Sequence, residues 1–157
     1  MKRTEYLKEV YGLVSHVEGG SFAEVYTAPF EQDGRPLAGS IYFLLEPGEV
    51  SRFHVIDCDE IWYYHEGCGL KITALSEEGK EEFLLGGDPQ KGERAMVVIP
   101  KGRIFAAENL DPEGYTFISC ATTPNFQYAG FRLVGRAEIS MKYGEHYDAV
   151  KHLAYGD

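Results

Sequence analysis

Apolar and polar positions alternate with a period of two over several short stretches of the chain. Ser21 to Ala28 sets Phe22, Glu24 and Tyr26 on one face and Ala23, Val25 and Thr27 on the other, the pattern of a half-buried strand. Gly39 to Leu45 repeats it, with Ser40, Tyr42 and Leu44 opposite Ile41, Phe43 and Leu45, and Pro47-Gly48 breaks the run. From Glu60 to His65 the residues are aromatic and β-branched; Glu60, Trp62, Tyr64 and Glu66 share one face, Ile61, Tyr63 and His65 the other. Further strands are expected over Cys68 to Leu75, Glu81 to Leu85, Arg94 to Ile99, Ile104 to Glu108 and Tyr115 to Thr122. Asp33-Gly34, Ser76 to Lys80, Gly86 to Pro89 and Pro100 to Gly102 supply the turns between them.

The period changes at both ends. Tyr6, Leu7, Val10 and Tyr11 give a short N-terminal helix a partly apolar side, with Thr4 as its expected cap and Gly12 as its stop. Ala137 to Tyr155 carries Ile139, Met141, Tyr143, Tyr147, Val150 and Leu153 at helical spacing, which predicts one or two short helices broken near Gly144. Many short strands separated by turns define an all-β class, a sandwich or a barrel. The expected organisation is a single domain over 1–157, with a strand-built core over about 20–125 and a helical tail over about 137–155.

The chain's 157 residues suit one domain with a real core. A net charge of −10 with no basic cluster argues against nucleic acid or an anionic membrane as partner. No apolar run approaches the length that spans a bilayer, and MKRTEYLKEVYG lacks the apolar core of a signal peptide, so a cytoplasmic location is expected. Cys58, Cys68 and Cys120 are an odd number with no CxxC, which predicts reduced thiols.

Candidate chemistry concentrates in Pro47 to Gly67, PGEVSRFHVIDCDEIWYYHEG. A carboxylate beside Trp62 and Tyr64 on one strand face is either the wall of a wet cavity or a solvated face over ordinary packing. The stretch resembles the first motif of the cupin superfamily: Gly48, five residues, His54-Val55-Ile56, three residues, Glu60, six residues, Gly67. The second histidine of that motif is replaced by Ile56. Pro100-Lys101-Gly102, two residues, Phe105, three residues, Asn109 resembles the second motif, with Phe105 in the place of its histidine. HVEGGSFAEVY from His16 to Tyr26, IYFLLEPG, DEIWYYHEG, IPKG and Phe117 to Phe126 are similar to the small single-domain cupin family labelled domain of unknown function. That resemblance implies an antiparallel double-stranded β-helix, or jelly-roll barrel, with short terminal helices, and a homodimer formed through barrel edges and terminal segments. Relatives commonly carry glutamine at Phe105 and histidine at Tyr63, so this pocket is less polar than theirs. Gly19-Gly20-Ser21-Phe22-Ala23-Glu24 and Phe53-His54 also resemble deoxysugar-nucleotide epimerases, in which the histidine at the position of His54 is a base acting without metal.

Three readings follow. In the first, His54 is a base oriented by Glu60, Tyr64 (or Tyr26 or Tyr42) returns a proton, and the activity is isomerase- or epimerase-like without cofactor. In the second, a divalent metal is held by His54 and Glu60, completed by Cys120 or Glu24, since Ile56 and Phe105 cannot ligate. In the third, Trp62, Tyr64, Tyr26 and Tyr42 stack a sugar or another small polar metabolite, with Glu24 also lining the pocket and Phe105 and Asn109 closing one side, and nothing is catalysed.

Overall fold

The computed structural model describes residues 1–156 of the chain. Helix α1 (Arg3–Tyr11) is followed by strands β1 (Val14–Ser15), β2 (Ser21–Thr27), β3 (Glu31–Gln32), β4 (Arg35–Pro36), β5 (Gly39–Leu45), β6 (Val50–Val55) and β7 (Asp59–Gly67). The chain continues through β8 (Leu70–Ser76), β9 (Gly79–Leu85), β10 (Met96–Ile99), β11 (Ile104–Asn109), β12 (Thr116–Thr123) and β13 (Arg132–Leu133). Helices α2 (Arg136–Lys142) and α3 (Tyr147–Val150) close it, with the break at Gly144 where the sequence pattern puts it.

One sheet has the order β1-β2-β5-β12-β7-β10, the other β13-β6-β11-β8-β9, and every ladder is antiparallel. The fold is therefore the all-β cupin-type double-stranded β-helix with short terminal helices. The alternation read from the sequence decides which side chains meet between the sheets. Phe43 and Leu45 from β5, Trp62 from β7, Ile72 and Ala74 from β8, Phe105 and Ala107 from β11 and Ile118 from β12 form the central core. Each sheet's outer face then needs a cover. Helix α1 supplies it for the first, packing Leu7 with Leu44 and Phe117. The C-terminal helices cover the second, packing Ile139, Val150 and Leu153 with Phe53, Leu75 and Ala106.

Most expected strands are present with ends shifted by a residue or two, as unpaired ends fray. Asp33 and Gly34, with φ of 54° and 78°, make the tight turn of the β3–β4 hairpin. Gly12 ends α1 with φ 63°. Thr4, however, lies buried inside the first turn; Lys2 is the N-cap residue, and its backbone N–H donates to the Glu5 carboxylate at 3.2 Å. The three cysteines are free thiols.

Asn109, expected to close the pocket, works at the opposite end of the barrel. Its amide nitrogen donates to Leu45 O at 3.3 Å and Glu46 O at 3.2 Å, and its side-chain oxygen accepts from Thr116 Oγ1 at 2.7 Å. It ties the end of β11 to the β5–β6 turn and to β12. Asn109→Ala strips both carbonyls and the Thr116 hydroxyl of a partner at once. The expected loss of stability, read by urea unfolding, is about 1–3 kcal/mol, with the inner cavity unaffected.

Candidate functional site

Ladder register aligns Gly39, Thr122 and Glu60 across β5, β12 and β7 at one end of the barrel. There the core residues stop short of filling the space between the sheets, leaving a cavity of about 90 Å³. Its inner part is lined by His16, Glu18, His54, Ile56, Glu60 and Cys120; Phe22, Ile41, Thr122 and Phe126 form walls; Glu24, Tyr26, Asn125 and Tyr128 stand at the mouth. Tyr26 and Tyr128 are 49% and 60% exposed, whereas His54 is 3% and Glu60 8% exposed.

His54 reaches the cavity through an irregularity in β6. Phe105 of β11 pairs with His54 and Ala107 with Ser51, so Arg52 and Phe53 stand opposite a single residue. This bulge turns the Arg52 carbonyl onto the histidine's own ring, 2.6 Å from Nδ1. The other nitrogen, Nε2, lies 2.8 Å from Glu18 Oε2. A carbonyl oxygen only accepts, so Nδ1 carries a proton; the close approach of Nε2 to a carboxylate requires a second proton between them. Burial pulls the imidazole down, but the Glu18 charge and hydrogen bond more than offset it, and His54 ends above its ordinary value. Burial likewise pushes Glu18 up, and His54 brings it below the usual carboxylate range. The pair is an imidazolium and a carboxylate sealed from solvent.

Glu18 comes from the loop between β1 and β2, which the chain presses against β6. Its backbone carbonyl accepts from Arg52 N at 2.8 Å. At Gly19, φ is 114° and an added Cβ would fall 2.0 Å from Val50 O, so only glycine permits this approach. The same loop brings in His16, whose Nδ1 accepts from the Glu18 backbone N–H at 3.2 Å. Burial holds His16 below its ordinary value, so it is a neutral ring with its remaining proton on Nε2.

Glu60 differs from Glu18. It makes no ion pair among the described residues, and the Trp62 indole N–H beside it falls short of hydrogen-bond geometry. Burial, reinforced by the Glu18 charge, pushes its carboxyl up to about 8, with His54 and Trp62 pulling weakly the other way. The Trp62 indole nitrogen and the Ser51 hydroxyl are both buried without a partner of hydrogen-bond geometry, the first beside Glu60 and the second beside Glu18. Burial also raises both nearby thiols, Cys58 to about 12 and Cys120 well above its usual value, which makes them inert as nucleophiles.

Of the residues expected from sequence, the structure brings together His54, Glu60, Glu24 and Tyr26. Phe105 and Trp62 lie beneath them in the core, the Phe105 ring centroid 4.3 Å from that of His54 and 6.1 Å from that of Trp62. They support the cavity but do not line it. Tyr42 is on the other side of the sheet, stacked on Phe117 and against Tyr11 of α1, because β5 turns Ile41 and Phe43 inward. Tyr64 faces the core but sits four residues beyond Glu60, about 13 Å along the strand, with its hydroxyl donating to Gly67 O at 2.6 Å. Tyr64 and Asn109 thus belong to the far end of the barrel. His16, Glu18, Asn125, Phe126 and Tyr128 were not expected. The signal available for Glu18 was its place in HVEGG, ahead of a glycine pair that marks a tight approach.

The cupin fold has metal-bearing members, so the residues at its ligand positions bear testing. Ile56 and Phe105 offer no donor atom, and both nitrogens of His54 are already engaged. Among the described residues no group of three or more His, Cys, Asp or Glu side chains could hold a metal ion. These residues do not fit the group.

A jelly-roll barrel with this motif-bearing inner end defines a cupin. More narrowly, residues 5–134 match the family described as Cupin superfamily (DUF985), and the chain belongs to it. It is similar to a protein of Shewanella oneidensis of known crystal structure, with 34% identity, a TM-score of 0.94 and 100% of both chains covered. A hypothetical protein from Leishmania major is 28% identical, with a TM-score of 0.89, covering 98% of this chain and 99% of that one. Oxalate decarboxylase from Bacillus subtilis shares the fold alone, at 18% identity and a TM-score of 0.57, over 91% of this chain and 37% of its own. No curated protein matches the chain in sequence. No helix among the described residues is long and apolar enough to cross a membrane.

The raised Glu60 carboxyl has a sign that can be checked. Between about pH 4.5, its ordinary value, and pH 8 the folded protein keeps a proton that the unfolded chain has released. Its contribution to stability therefore falls as pH rises through that window. Glu60→Gln removes this dependence. In urea unfolding the variant is expected to gain on the parent from pH 5 to 8, by up to a few kcal/mol, and to level off above. The indole N–H resonance of Trp62, the chain's single tryptophan, is expected to titrate near pH 8 in the parent and to stay flat in the variant.

Proposed function

We propose that this protein binds a small polar metabolite in the inner cavity and moves a proton on it, with Glu60 as the acid–base group. The observation that carries the reading is Glu60 itself: a buried carboxyl lining a cavity, without a bonded partner, poised to exchange a proton near pH 8. A catalytic acid or base works best when its own proton affinity lies near the working pH. In this reading His54 has a different role from the base expected of it. With both ring nitrogens already bonded, it is not free to accept a proton from substrate. It serves as a positioning residue that holds Glu18 and tempers the potential at Glu60.

The reaction class this suits is isomerisation or epimerisation beside a carbonyl. Ionised Glu60 removes a carbon-bound proton, the carbonyl oxygen takes up the displaced electron pair as an enolate, and protonated Glu60 returns the proton to carbon. His16, whose Nε2 carries its proton, is the neutral donor available to the enolate oxygen. A binder that catalyses nothing would use the same aromatic and polar walls without this exchange.

The test is a screen of small carbonyl metabolites for thermal stabilisation, followed by incubation of the hits in D₂O. The expected outcome is carbon-bound deuterium in at least one hit, seen by NMR. At saturating ligand, Glu60→Gln is expected to slow that exchange by about 10²- to 10⁴-fold. Binding with no exchange in any hit makes the protein a binder; stoichiometric metal in the purified protein, lost together with ligand binding on chelation, overturns the metal-free reading.

A further inference from the structure

We propose that the ligand of this cavity is a small organic cation, a protonated amine whose ammonium group sits against Glu60 and completes the charge balance of the inner wall. This rests on the cavity being the binding site and adds the charge class of what it binds.

Buried charges in proteins are paired. In this cavity three carboxyl side chains, Glu18, Glu24 and Glu60, line the space, and the lining contains no Lys or Arg among the described residues. The only cation within it is His54, already committed to Glu18 at 2.8 Å. Glu60 is left over: more than nine-tenths buried, lining the cavity, with no ion pair and only the Trp62 indole N–H beside it, short of hydrogen-bond geometry. In the free protein a proton stands in for its missing counterion. A ligand ammonium does the same with a full charge and up to three donors, and the displaced proton leaves to solvent, so charge is conserved. An anion meets the Glu18 and Glu24 carboxylates, must keep Glu60 protonated, and finds no unpaired cation. A neutral hydroxyl makes one bond to a protonated Glu60 and leaves the deficit as it was.

The walls and the mouth agree with this choice. Phe22, Phe126, Tyr26 and Tyr128 surround the approach to Glu60, and ring faces attract cations. Glu24 stands at the exposed mouth, where it steers cations inward and anions away. The space of about 90 Å³ amounts to about three water volumes, which sets the inner portion of the ligand at a few non-hydrogen atoms.

The experiment compares isosteric probes that differ only in charge: propylamine, propanol and propionate, then benzylamine, benzyl alcohol and benzoate. Binding is followed by the Trp62 indole resonance at millimolar concentrations, in the parent, in Glu60→Gln and in Glu24→Gln, whose exposed side chain leaves folding intact. In the parent the amine of each set is expected to bind more tightly than its alcohol, and the carboxylate least. In Glu60→Gln the amine is expected to lose about ten- to hundredfold in affinity, the worth of a charge-assisted bond, while the alcohol changes little. Glu24→Gln is expected to weaken the amine a few-fold. An alcohol or carboxylate binding more tightly than its amine overturns the charge class and leaves the cavity as the binding site. Amine binding equal in all three proteins also overturns it. Silence from all six probes overturns both this inference and the reading on which it rests.

Discussion

The buried contact between Glu18 and His54 is the interaction on which the rest of this molecule's chemistry depends. Sealing an ion pair from water costs more than its attraction returns unless the remaining donors and acceptors are also satisfied. Here they largely are: the Arg52 carbonyl takes the second ring proton, and the same residue's N–H anchors the Glu18 backbone. The pair therefore joins the β1–β2 loop, at one edge of the first sheet, to β6 near the edge of the second. It also spends the one cation that lines the cavity among the described residues. Glu60 is left without an ion-pair partner of its own, and burial, reinforced by the Glu18 charge and only partly offset by His54, raises its proton affinity.

The cavity exists because the core is finished elsewhere. At the Asn109 end, side-chain bonds to Leu45, Glu46 and Thr116 close the barrel, and Trp62 and Phe105 fill its middle. At the other end Gly39, Thr122 and Cys120 put short side chains between the sheets, and the space stays open. Ile56 makes one wall of it apolar. Because one fold hosts many chemistries, the likeness to oxalate decarboxylase speaks only for the barrel. The near-complete overlap with the Shewanella oneidensis and Leishmania major proteins places the whole chain, terminal helices included, in one family architecture.

Local pattern in the sequence determined a good deal. Strand alternation, glycine and proline turns and the helical spacing of the tail decided the all-β class, most strand positions and the covering helices, because each is a property of neighbouring residues. Motif spacing placed His54 and Glu60 together, and strand parity with Phe22 placed Glu24 and Tyr26 beside them. Parity by itself could not say which face of β5 looks inward, and so Tyr42 went to the wrong side; packing of α1 onto the outer face makes that choice. Nor could parity say how far along the barrel a residue lies, which is why Tyr64 and Asn109, correct in face or motif, sit at the opposite end. Only the tertiary structure brought His16 and Glu18 to the site, through a loop that must approach β6 within a glycine's width. The roles followed from the same contact. Whether His54 is a free base or a committed donor, and whether Glu60 is charged or protonated, depends on which groups lie within a few ångströms and how much water is excluded. Those are long-range facts of packing, and no spacing along the chain records them.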